Sequence, residues 1–470
     1  MTRRITAPRG SRDACVFGLA IVALVLALAS IARDASPALA DSPGLAWQTI
    51  VLKGAAMPQL VGSPESHLEV LALRDGHLAP IPFQVDEVLP DGRYALTAGP
   101  EPLADDSPGI LDRDDEVAMM LSDLSDRASP PPRELPADAL EIETLDVANG
   151  ARRYAYIAAV PSPRLSPVSY VSYDPVYSHV EGGSYRMTLR GDFPIGLALK
   201  NGRGKLSPSL IEGSQVQVTA RALMLFKLRL DANGVTNRVL AWHGGPIRII
   251  RRVSHSVKLI FGIESPRVLS EESFYREYAQ DSFVARVPWV PRLFFGDVRV
   301  RTWLDFTGLE GFALSWPGME WRPLAPEARS AALAAEIRND PPEVKWLALK
   351  GGGKIVMQTF TPSPDFAILR RRLYYCDPAA AASPDCAGTA LQIGYLMTGW
   401  EKLASGTHRV NSVLMVLPSG ADPDAVAQRL TTAPVVRVGP ARCFADRAQR
   451  IVPSWRSSGM ISRSKRSVSS

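Results

Sequence analysis

The chain of 470 residues is 46% hydrophobic and 21% charged, which is typical of a folded globular protein and excludes a disordered one. Its net charge of +5 is concentrated at the two ends, and the body between them is net acidic, which argues against a nucleic-acid-binding domain with a basic folded face. A chain of this length is too long to fold around a single hydrophobic core, so two domains are expected.

The N-terminal segment has the three parts of a bacterial-type secretory signal. Four arginines among the first twelve residues precede the apolar run 16–32, and Ala-Leu-Ala at 38–40 supplies a cleavage site. The apolar run is at the lower edge of the length that spans a bilayer, so an uncleaved N-terminal anchor is the alternative. The sequence therefore predicts a signal peptide over 1–40, a periplasmic or extracellular location, and no transmembrane segment after cleavage.

Short alternating segments separated by glycine and proline predict strands along most of the chain. Segments 68–74 and 77–85 flank Asp75-Gly76, a favoured dipeptide for a two-residue hairpin turn. The Ser-, Pro- and Tyr-rich stretch 161–175 is interpreted as a linker. The predicted domains are an N-terminal β-sandwich over 41–160, a larger β-sandwich over 176–440 and a basic disordered tail over 441–470.

The longest alternating segment is 215–230, which is apolar at every second position, with Leu223 and Leu225 out of phase. Such a pattern predicts one long antiparallel strand with one buried face. Helical signals occur only over 326–338 and 421–430. The predicted fold class is all-β, with two antiparallel β-sandwich domains and one or two short helices.

Acidic residues are concentrated at 111–117, which reads Leu-Asp-Arg-Asp-Asp-Glu-Val. Asp112, Asp114 and Glu116 alternate, so on an extended backbone their side chains would project to one side. Carboxylate oxygens are the ligands that Ca²⁺ prefers, although the spacing differs from that of an EF-hand loop. Two interpretations remain: a calcium site formed by these three residues, or a solvated acidic loop whose aspartates cap turns.

The same part of the chain carries a family resemblance. The order Pro-Phe-Gln-Val-Asp at 82–86, Asp-Gly-Arg-Tyr at 91–94 and the acidic segment 111–117 resembles the N-terminal module of a loose group of secreted bacterial β-sandwich proteins. It is also similar to a pattern near the start of some polysaccharide lyase families. The resemblance covers about residues 45–130 and implies a β-sandwich there. It transfers no catalytic residue to this chain.

The common sequence signatures of enzymes are missing, among them G-x-S-x-G, the P-loop and H-E-x-x-H. If the chain were a lyase, a base and an acid would come from His, Tyr and Arg side chains in a cleft. The best such group is His243, Tyr275, Arg276 and Tyr278. The alternative is that these side chains are core or cross-strand packing residues.

Tryptophan is frequent in the second half of the chain. Trp316 and Trp321 flank a Pro-Gly dipeptide, which favours a turn and so an exposed indole. These two residues are the candidate ligand-binding residues, because an exposed indole could stack on a sugar ring. Buried tryptophans would instead be core anchors.

Three cysteines follow the predicted signal: Cys376, Cys386 and Cys443. In an oxidising compartment the close pair, Cys376 and Cys386, is predicted to form a disulfide. Cys443 would then be free or intermolecular, and its pairing with either of the others is the alternative. A metal site is disfavoured, because no His or Cys lies at the usual ligand spacing from any of the three.

The sequence as a whole favours a secreted, non-catalytic β-sandwich protein that binds carbohydrate or an envelope component. The alternatives are a polysaccharide lyase or other carbohydrate-active enzyme, and a structural envelope protein. Ca²⁺ is the one cofactor considered, and nucleic acid is not an expected partner. A lyase needs a cleft where His, Tyr and Arg converge, a binding protein needs accessible aromatic rings, and a structural protein needs exposed apolar or edge-strand surfaces.

Overall fold

The computed structural model describes residues 48–441, except 129–134, 148, 223–225, 232–233, 258–267, 288–294, 325–326, 363–367, 379–385, 387, 405 and 433. The predicted signal peptide, nearly all of the predicted tail and Cys443 lie outside the described residues. Antiparallel sheets dominate the described part, which is 53% strand and 9% helix, so the all-β prediction is confirmed.

The strands and helices of the described residues are numbered here in chain order. The first strands are β1 (Thr49–Lys53), β2 (Leu68–Arg74), β3 (His77–Pro80), β4 (Phe83–Asp86), β5 (Glu116–Met120), β6 (Leu140–Leu145), β7 (Arg152–Ala159), β8 (Ser172–Asp174), β9 (His179–Glu181), β10 (Tyr185–Arg190), β11 (Phe193–Lys200), β12 (Leu206–Ser209), β13 (Ile211–Ala222) and β14 (Phe226–Asp231). The remaining strands are β15 (Val235–Gly244), β16 (Arg248–Val257), β17 (Val268–Tyr275), β18 (Tyr278–Val287), β19 (Phe295–Phe306), β20 (Ala313–Ser315), β21 (Arg322–Pro323), β22 (Trp346–Gly351), β23 (Lys354–Pro362), β24 (Arg370–Cys376), β25 (Leu391–Thr398), β26 (Gly406–Pro418) and β27 (Val435–Pro440). The α-helices are α1 (Glu327–Asn339) and α2 (Pro423–Arg429).

The N-terminal region packs a three-stranded sheet, β1-β5-β4, against a five-stranded sheet, β27-β6-β7-β2-β3. The predicted hairpin is confirmed: β2 pairs with β3, and Asp75 and Gly76 between them have φ values of 50° and 82°. Positive φ at both turn positions matches the right-handed twist of the flanking strands.

One edge of that N-terminal sheet comes from the far end of the chain. The sequence boundaries place 435–440 in the second domain, but β27 pairs with β6, and Val436 is buried in the N-terminal core. β27 pairs along one edge of β6, and the alternating Val435–Pro440 segment adds apolar side chains to the buried face of the sheet. The sequence around β6 does not indicate this partner.

The second region is a sandwich. Its larger sheet has the strand order β15-β16-β17-β18-β26-β23-β22-β20-β21, and the facing sheet has the order β14-β13-β19-β25-β24. One hydrophobic core includes residues of both sheets, among them Ile249, Phe274, Val410, Leu304 and Ile393. A third sheet, β12-β11-β10-β9-β8, adds side chains to the same core.

The long strand predicted over 215–230 is wrong, because this segment contains two strands. β13 and β14 pair antiparallel, with Ala222 aligned with Phe226, and the out-of-phase Leu223 and Leu225 fall outside the described residues. Directly paired residues of a hairpin lie on the same face, so an apolar alternation keeps its phase across the turn. Periodicity therefore could not distinguish one strand from two here.

The stretch interpreted as a linker contacts both halves of the protein. The Arg164 amide donates to Glu69 Oε2 at 3.1 Å, and the Tyr170 hydroxyl donates to Asp123 Oδ1 at 2.7 Å. The Tyr170 amide also donates to the Pro246 carbonyl at 2.8 Å. Among the described residues, none of the helices has the length and hydropathy needed to cross a bilayer.

Candidate functional site

The motif residues of the N-terminal segment converge on one buried arginine. Arg248 of β16 donates from Nε to Asp86 Oδ2 at 2.8 Å and from Nη2 to Glu116 Oε2 at 2.7 Å. Gln84 Oε1 accepts from the backbone amides of Ile247 and Arg248, at 3.1 and 2.9 Å. These residues of β4 and β5 therefore tie the N-terminal region to the larger sheet of the sandwich.

The acidic segment does not form the predicted calcium site. Residues 111–115 bend instead of extending, and Asp112 Oδ1 accepts from the amides of Asp114 and Asp115 at 2.7 and 3.1 Å. Glu116 Oε2 accepts instead from Arg248 Nη2 and from the Tyr94 hydroxyl. In the described part of the chain, no three His, Cys, Asp or Glu side chains are grouped to hold a metal. The three residues therefore do not fit a calcium ion.

Asp115, which lies between those acids in the sequence, accepts hydrogen bonds from two backbone amides. Its Oδ1 accepts from the Val88 amide at 2.9 Å and its Oδ2 accepts from the Asp112 amide at 2.6 Å. Burial raises the pKa of Asp115 to about 6. The aspartates of this segment thus hydrogen-bond the backbone of their own loop and of its neighbour, as turn-capping aspartates do.

The four candidate catalytic residues lie near the Arg248 cluster. His243 Nε2 is 3.7 Å from Asp86 Oδ1, and Tyr275 is aligned with Arg248 across β16 and β17. The Tyr275 and Tyr278 rings stack with centroids 4.3 Å apart, and both residues are buried. Arg276 lies over the Tyr170 ring at 5.0 Å. Of the ionisable side chains touching Asp86, His243 is the partly exposed one, and the rest of the cluster packs as an interior ion-pair network.

The two candidate tryptophans have different surroundings. Trp316 is 3% exposed and belongs to the sandwich core, with the Arg322 guanidinium 5.8 Å from its ring. Trp321 is half-buried, packs beside a second apolar cluster and has Lys350 Nζ 5.5 Å from its ring. They do not form a shared aromatic platform, because one lies in the interior and the other at the surface.

A polar groove that the sequence reasoning missed lies on the outer face of the sheet β14-β13-β19-β25-β24. The inward residues of these strands, such as Val216 and Val300, pack in the core, so the alternate residues face outward. The groove has a volume of about 440 Å³, which is in the range of small-ligand sites. It is lined by Glu212, Gln215, Gln217, Arg229, Trp303, Asp305, Gly388, Thr389, Ala390 and Gln392.

The floor of the groove is a hydrogen-bonded set of side chains on neighbouring strands. Asp305 Oδ1 accepts from Trp303 Nε1 at 3.0 Å and from Gln392 Nε2 at 3.2 Å. The Tyr374 hydroxyl donates to Gln392 Oε1 at 2.9 Å. Burial raises the pKa of Asp305, while these donors oppose the rise. The network fixes the orientations of an indole, an amide and a carboxylate before any ligand arrives.

Two aromatic rings meet beside this floor because a glycine lies between them. Gly394 of β25 is aligned with Trp303 on one side and with Tyr374 on the other. The Trp303 and Tyr374 rings lie with centroids 5.3 Å apart at an interplanar angle of 47°. A Cβ at position 394 would lie 2.6 Å from the Trp303 Cα, so the glycine permits the close approach of β25 to β19 at this pair.

One wall of the groove follows the predicted disulfide, which is confirmed. Cys376 and Cys386 are bonded, with their Cα atoms 5.8 Å apart. Cys376 is aligned with Gln392 of the floor, and the wall residues Gly388, Thr389 and Ala390 come just after Cys386. The covalent bond thus anchors the segment that encloses the groove against β24.

A sequence signal for this groove does exist. Gln215 and Gln217 on β13, and Arg301, Trp303 and Asp305 on β19, are polar or aromatic residues alternating with core residues. Each of these two runs by itself is typical of the solvent-facing side of an ordinary strand. The signal becomes specific only when β13 and β19 are known to be neighbours.

Comparison with known proteins gives no family assignment, since no family model and no curated protein matches the chain. Among solved structures, an α-mannosidase from Enterococcus faecalis aligns with a TM-score of 0.40 at 8% identity, covering 82% of this chain and 47% of the other. A glycosyl hydrolase family 38 protein from Enterococcus faecalis aligns with a TM-score of 0.43 at 8% identity, covering 84% and 45%. A protein from Synechocystis sp. PCC 6803 aligns with a TM-score of 0.30 at 10% identity, covering 54% and 96%. This chain spans about half the length of the two Enterococcus proteins.

Proposed function

We propose that this protein is a secreted, carbohydrate-binding β-sandwich protein whose binding site is the groove on β13, β19, β25 and β24. The observation that carries the proposal is the aromatic pair Trp303–Tyr374 beside the hydrogen-bonded floor of Asp305 and Gln392. The half-buried Tyr374 ring offers an apolar surface to the C–H face of a sugar, and Trp303, which is 7% exposed, packs beside it. The amides and the carboxylate offer donors and acceptors to the hydroxyl groups of the sugar.

The groove is built on strands, which supports a binding site with a fixed shape. Gln215, Trp303, Asp305 and Gln392 come from three paired strands, β13, β19 and β25, and the disulfide anchors the wall at Gly388–Ala390. Side chains on paired strands lose little freedom when a ligand binds, which lowers the entropic cost of association.

The secreted location is part of the proposal. The Cys376–Cys386 disulfide supports it, because such bonds persist in oxidising compartments and are rare in the cytosol. The basic, apolar and small-residue order of positions 1–40 is consistent with the same location.

A second candidate function is glycoside hydrolysis, favoured by one observation. Glu212 and Asp305 both line the groove, and burial together with the Glu212 charge raises the pKa of Asp305. Glycoside hydrolases use a pair of carboxyl groups with separated pKa values, one as the acid and one as the base or nucleophile. Release of reducing ends from a bound glycan, lost in both Asp305→Asn and Glu212→Gln, would favour this candidate over binding alone.

The test of binding is a thermal-shift and calorimetric screen of the full chain against neutral and anionic polysaccharides. For a polymer that binds, Tyr374→Ala should weaken the affinity about tenfold, because one of the two rings is removed. The matched control is Tyr177→Ala, which removes an exposed tyrosine on the β8–β9 turn, outside the groove. Equal binding by the wild type and Tyr374→Ala would overturn the groove as the binding site.

A further inference from the structure

Five arginines lie beside the aromatic pair on the outer face of the sheet β14-β13-β19-β25-β24. The strand registers place them in two successive cross-strand rows beside the row that holds Trp303 and Tyr374. The first row carries Arg229, Arg299 and Arg370, and the second carries Arg301 and Arg372. With strands about 4.8 Å apart, the first row extends over about 19 Å from β14 to β24. A polymer lying across the strands would therefore meet several of these side chains.

These arginines face solvent on the same side as the groove. Arg229 lines the groove itself, and Arg229, Arg299 and Arg370 are exposed. Leu373 and Tyr375 of β24 lie in the core, so Arg370 and Arg372 are on the outer side of that strand. The guanidinium of Arg301 lies 5.6 Å from the centre of the Tyr374 ring, which joins the basic rows to the aromatic pair.

Acids lie around the basic rows. By register, Asp231 of β14 stands at one end of the second row, opposite Gln217, and Glu343 is bridged to Arg372 at the other end. Asp297 pairs with Arg299 at 2.9 Å and lies 3.7 Å from Arg221. Asp305 is held by Trp303 and Gln392, and it lies on the other side of the aromatic pair from the basic rows. Within the described residues, neither Arg229, Arg370 nor Arg372 forms an ion pair with a carboxylate. Arg229 donates from Nε and Nη2 to the Gln217 amide oxygen, at 3.2 and 2.9 Å. Its remaining N–H groups and the guanidinium of the exposed Arg370 are donors that match a carboxylate or sulfate of a ligand.

We infer that the carbohydrate bound in this groove is anionic, carrying carboxylate or sulfate groups that the Arg229–Arg370 and Arg301–Arg372 rows recognise. This inference rests on the proposed function and specifies its ligand class. A glycan is favoured over a nucleic acid, because the one aromatic pair provides a single stacking position, whereas proteins that bind single-stranded nucleic acids offer a series of them.

The test uses two matched pairs of polymers with the full chain: polygalacturonate and its methyl ester, and dextran sulfate and dextran. Within each pair the sugar is the same and only the charge differs. At low ionic strength, about 50 mM NaCl, we expect at least one charged polymer to bind about tenfold tighter than its neutral partner, and the difference to shrink in about 500 mM NaCl. A larger difference in the polygalacturonate pair would indicate recognition of carboxylate, and a larger difference in the dextran pair would indicate recognition of sulfate.

Arginine variants test whether the two rows cause the preference for the charged polymer. Arg229→Gln and Arg370→Gln should each weaken binding of the charged polymer about fivefold. Arg370 is not among the groove-lining residues, so Arg370→Gln should also leave binding of the neutral polymer unaffected. The control is Arg113→Gln, which removes an exposed arginine in the loop before β5. If Arg113→Gln weakens binding as much as the groove variants do, net charge and not the arginine rows is responsible, and the inference is wrong.

The remaining outcomes separate the inference from the proposed function. Equal binding of charged and neutral polymers, lost in Tyr374→Ala, would overturn the anionic class and leave carbohydrate binding standing. No binding to any of the four polymers would count against both. Duplex DNA that binds as tightly as polygalacturonate, with the same dependence on Arg229 and Arg370, would overturn the assignment to a glycan.

Discussion

Arg248 on β16 and Asp86 on β4 are 162 positions apart in the chain, yet their side chains meet at 2.8 Å in the protein interior. Arg248 is 1% exposed and Asp86 is 2% exposed. The pair, completed by Glu116, lies where the N-terminal region contacts the larger sheet of the sandwich. Glu116, which the sequence grouped with a candidate calcium site, thus serves with Asp86 to hold two parts of the fold together.

Replacing this arginine tests that role. Arg248→Met should lower the free energy of unfolding by about 3–5 kcal/mol, because it leaves Asp86 and Glu116 buried without their cation. The measurement is urea denaturation followed by fluorescence. Arg238→Met, at an exposed position on the neighbouring strand β15, is the control and should change stability by less than about 0.5 kcal/mol. A loss below about 1 kcal/mol in Arg248→Met would show that the cluster is not a structural lock.

The pH dependence of stability should reflect buried carboxyl groups. Burial, with the nearby charge of Asp192, raises the pKa of Asp281 to about 7 from 3.8. Between those values the folded state binds more protons than the unfolded state, so stability falls as the pH rises, by up to about 1.4 kcal/mol per pH unit for one such group. Melting temperatures measured from pH 4 to pH 8 check this.

Asp281→Asn isolates that contribution. The amide does not titrate, so the decline in melting temperature between pH 4 and pH 7 should become shallower than in the wild type. Asp138→Asn, an exposed aspartate, is the control and should keep the wild-type slope. An unchanged slope in Asp281→Asn would mean that this carboxyl group ionises normally in the folded protein.

The disulfide should contribute to both stability and binding. Cys376 and Cys386 are separated by 10 positions, so the chain-entropy model predicts that the double serine variant loses about 2–3 kcal/mol. Binding of a groove ligand should weaken as well, because the wall at Gly388–Ala390 loses its anchor. Peptide mapping without reduction should show the two cysteines joined. Finding both alkylated in the native protein would contradict the bond, and Cys443→Ser serves as the control.

The glycine between the groove aromatics is a further test. A Cβ at Gly394 would lie 2.0 Å from the Thr302 carbonyl oxygen, so Gly394→Ala forces β25 away from β19 and should cost about 1–3 kcal/mol. Gly296→Ala on β19 is the control, because a Cβ there meets no neighbouring atom. Thermal melting of both variants gives the comparison. Equal melting temperatures would show that the sheet accommodates the added methyl group at Gly394.

Local sequence determined the features that depend on neighbouring residues. The Asp75-Gly76 turn and the Cys376–Cys386 bond were predicted correctly, because each involves positions close together in the chain. The strands β2 and β3 lie in the segments predicted on either side of that turn. The prediction of an all-β fold rests on these short-range signals, and therefore it succeeded.

Tertiary structure alone decided which of these segments became neighbours. β27 joins β6 across almost 300 positions, and β13 pairs with β19 although five strands lie between them in the chain. The same pairing brings Gln217 beside Arg301, whereas the carboxylates of Asp112 and Glu116, close in sequence, bond to different partners. Strand order depends on which apolar faces can be buried together over the whole chain, and periodicity within one strand contains no information about its partner.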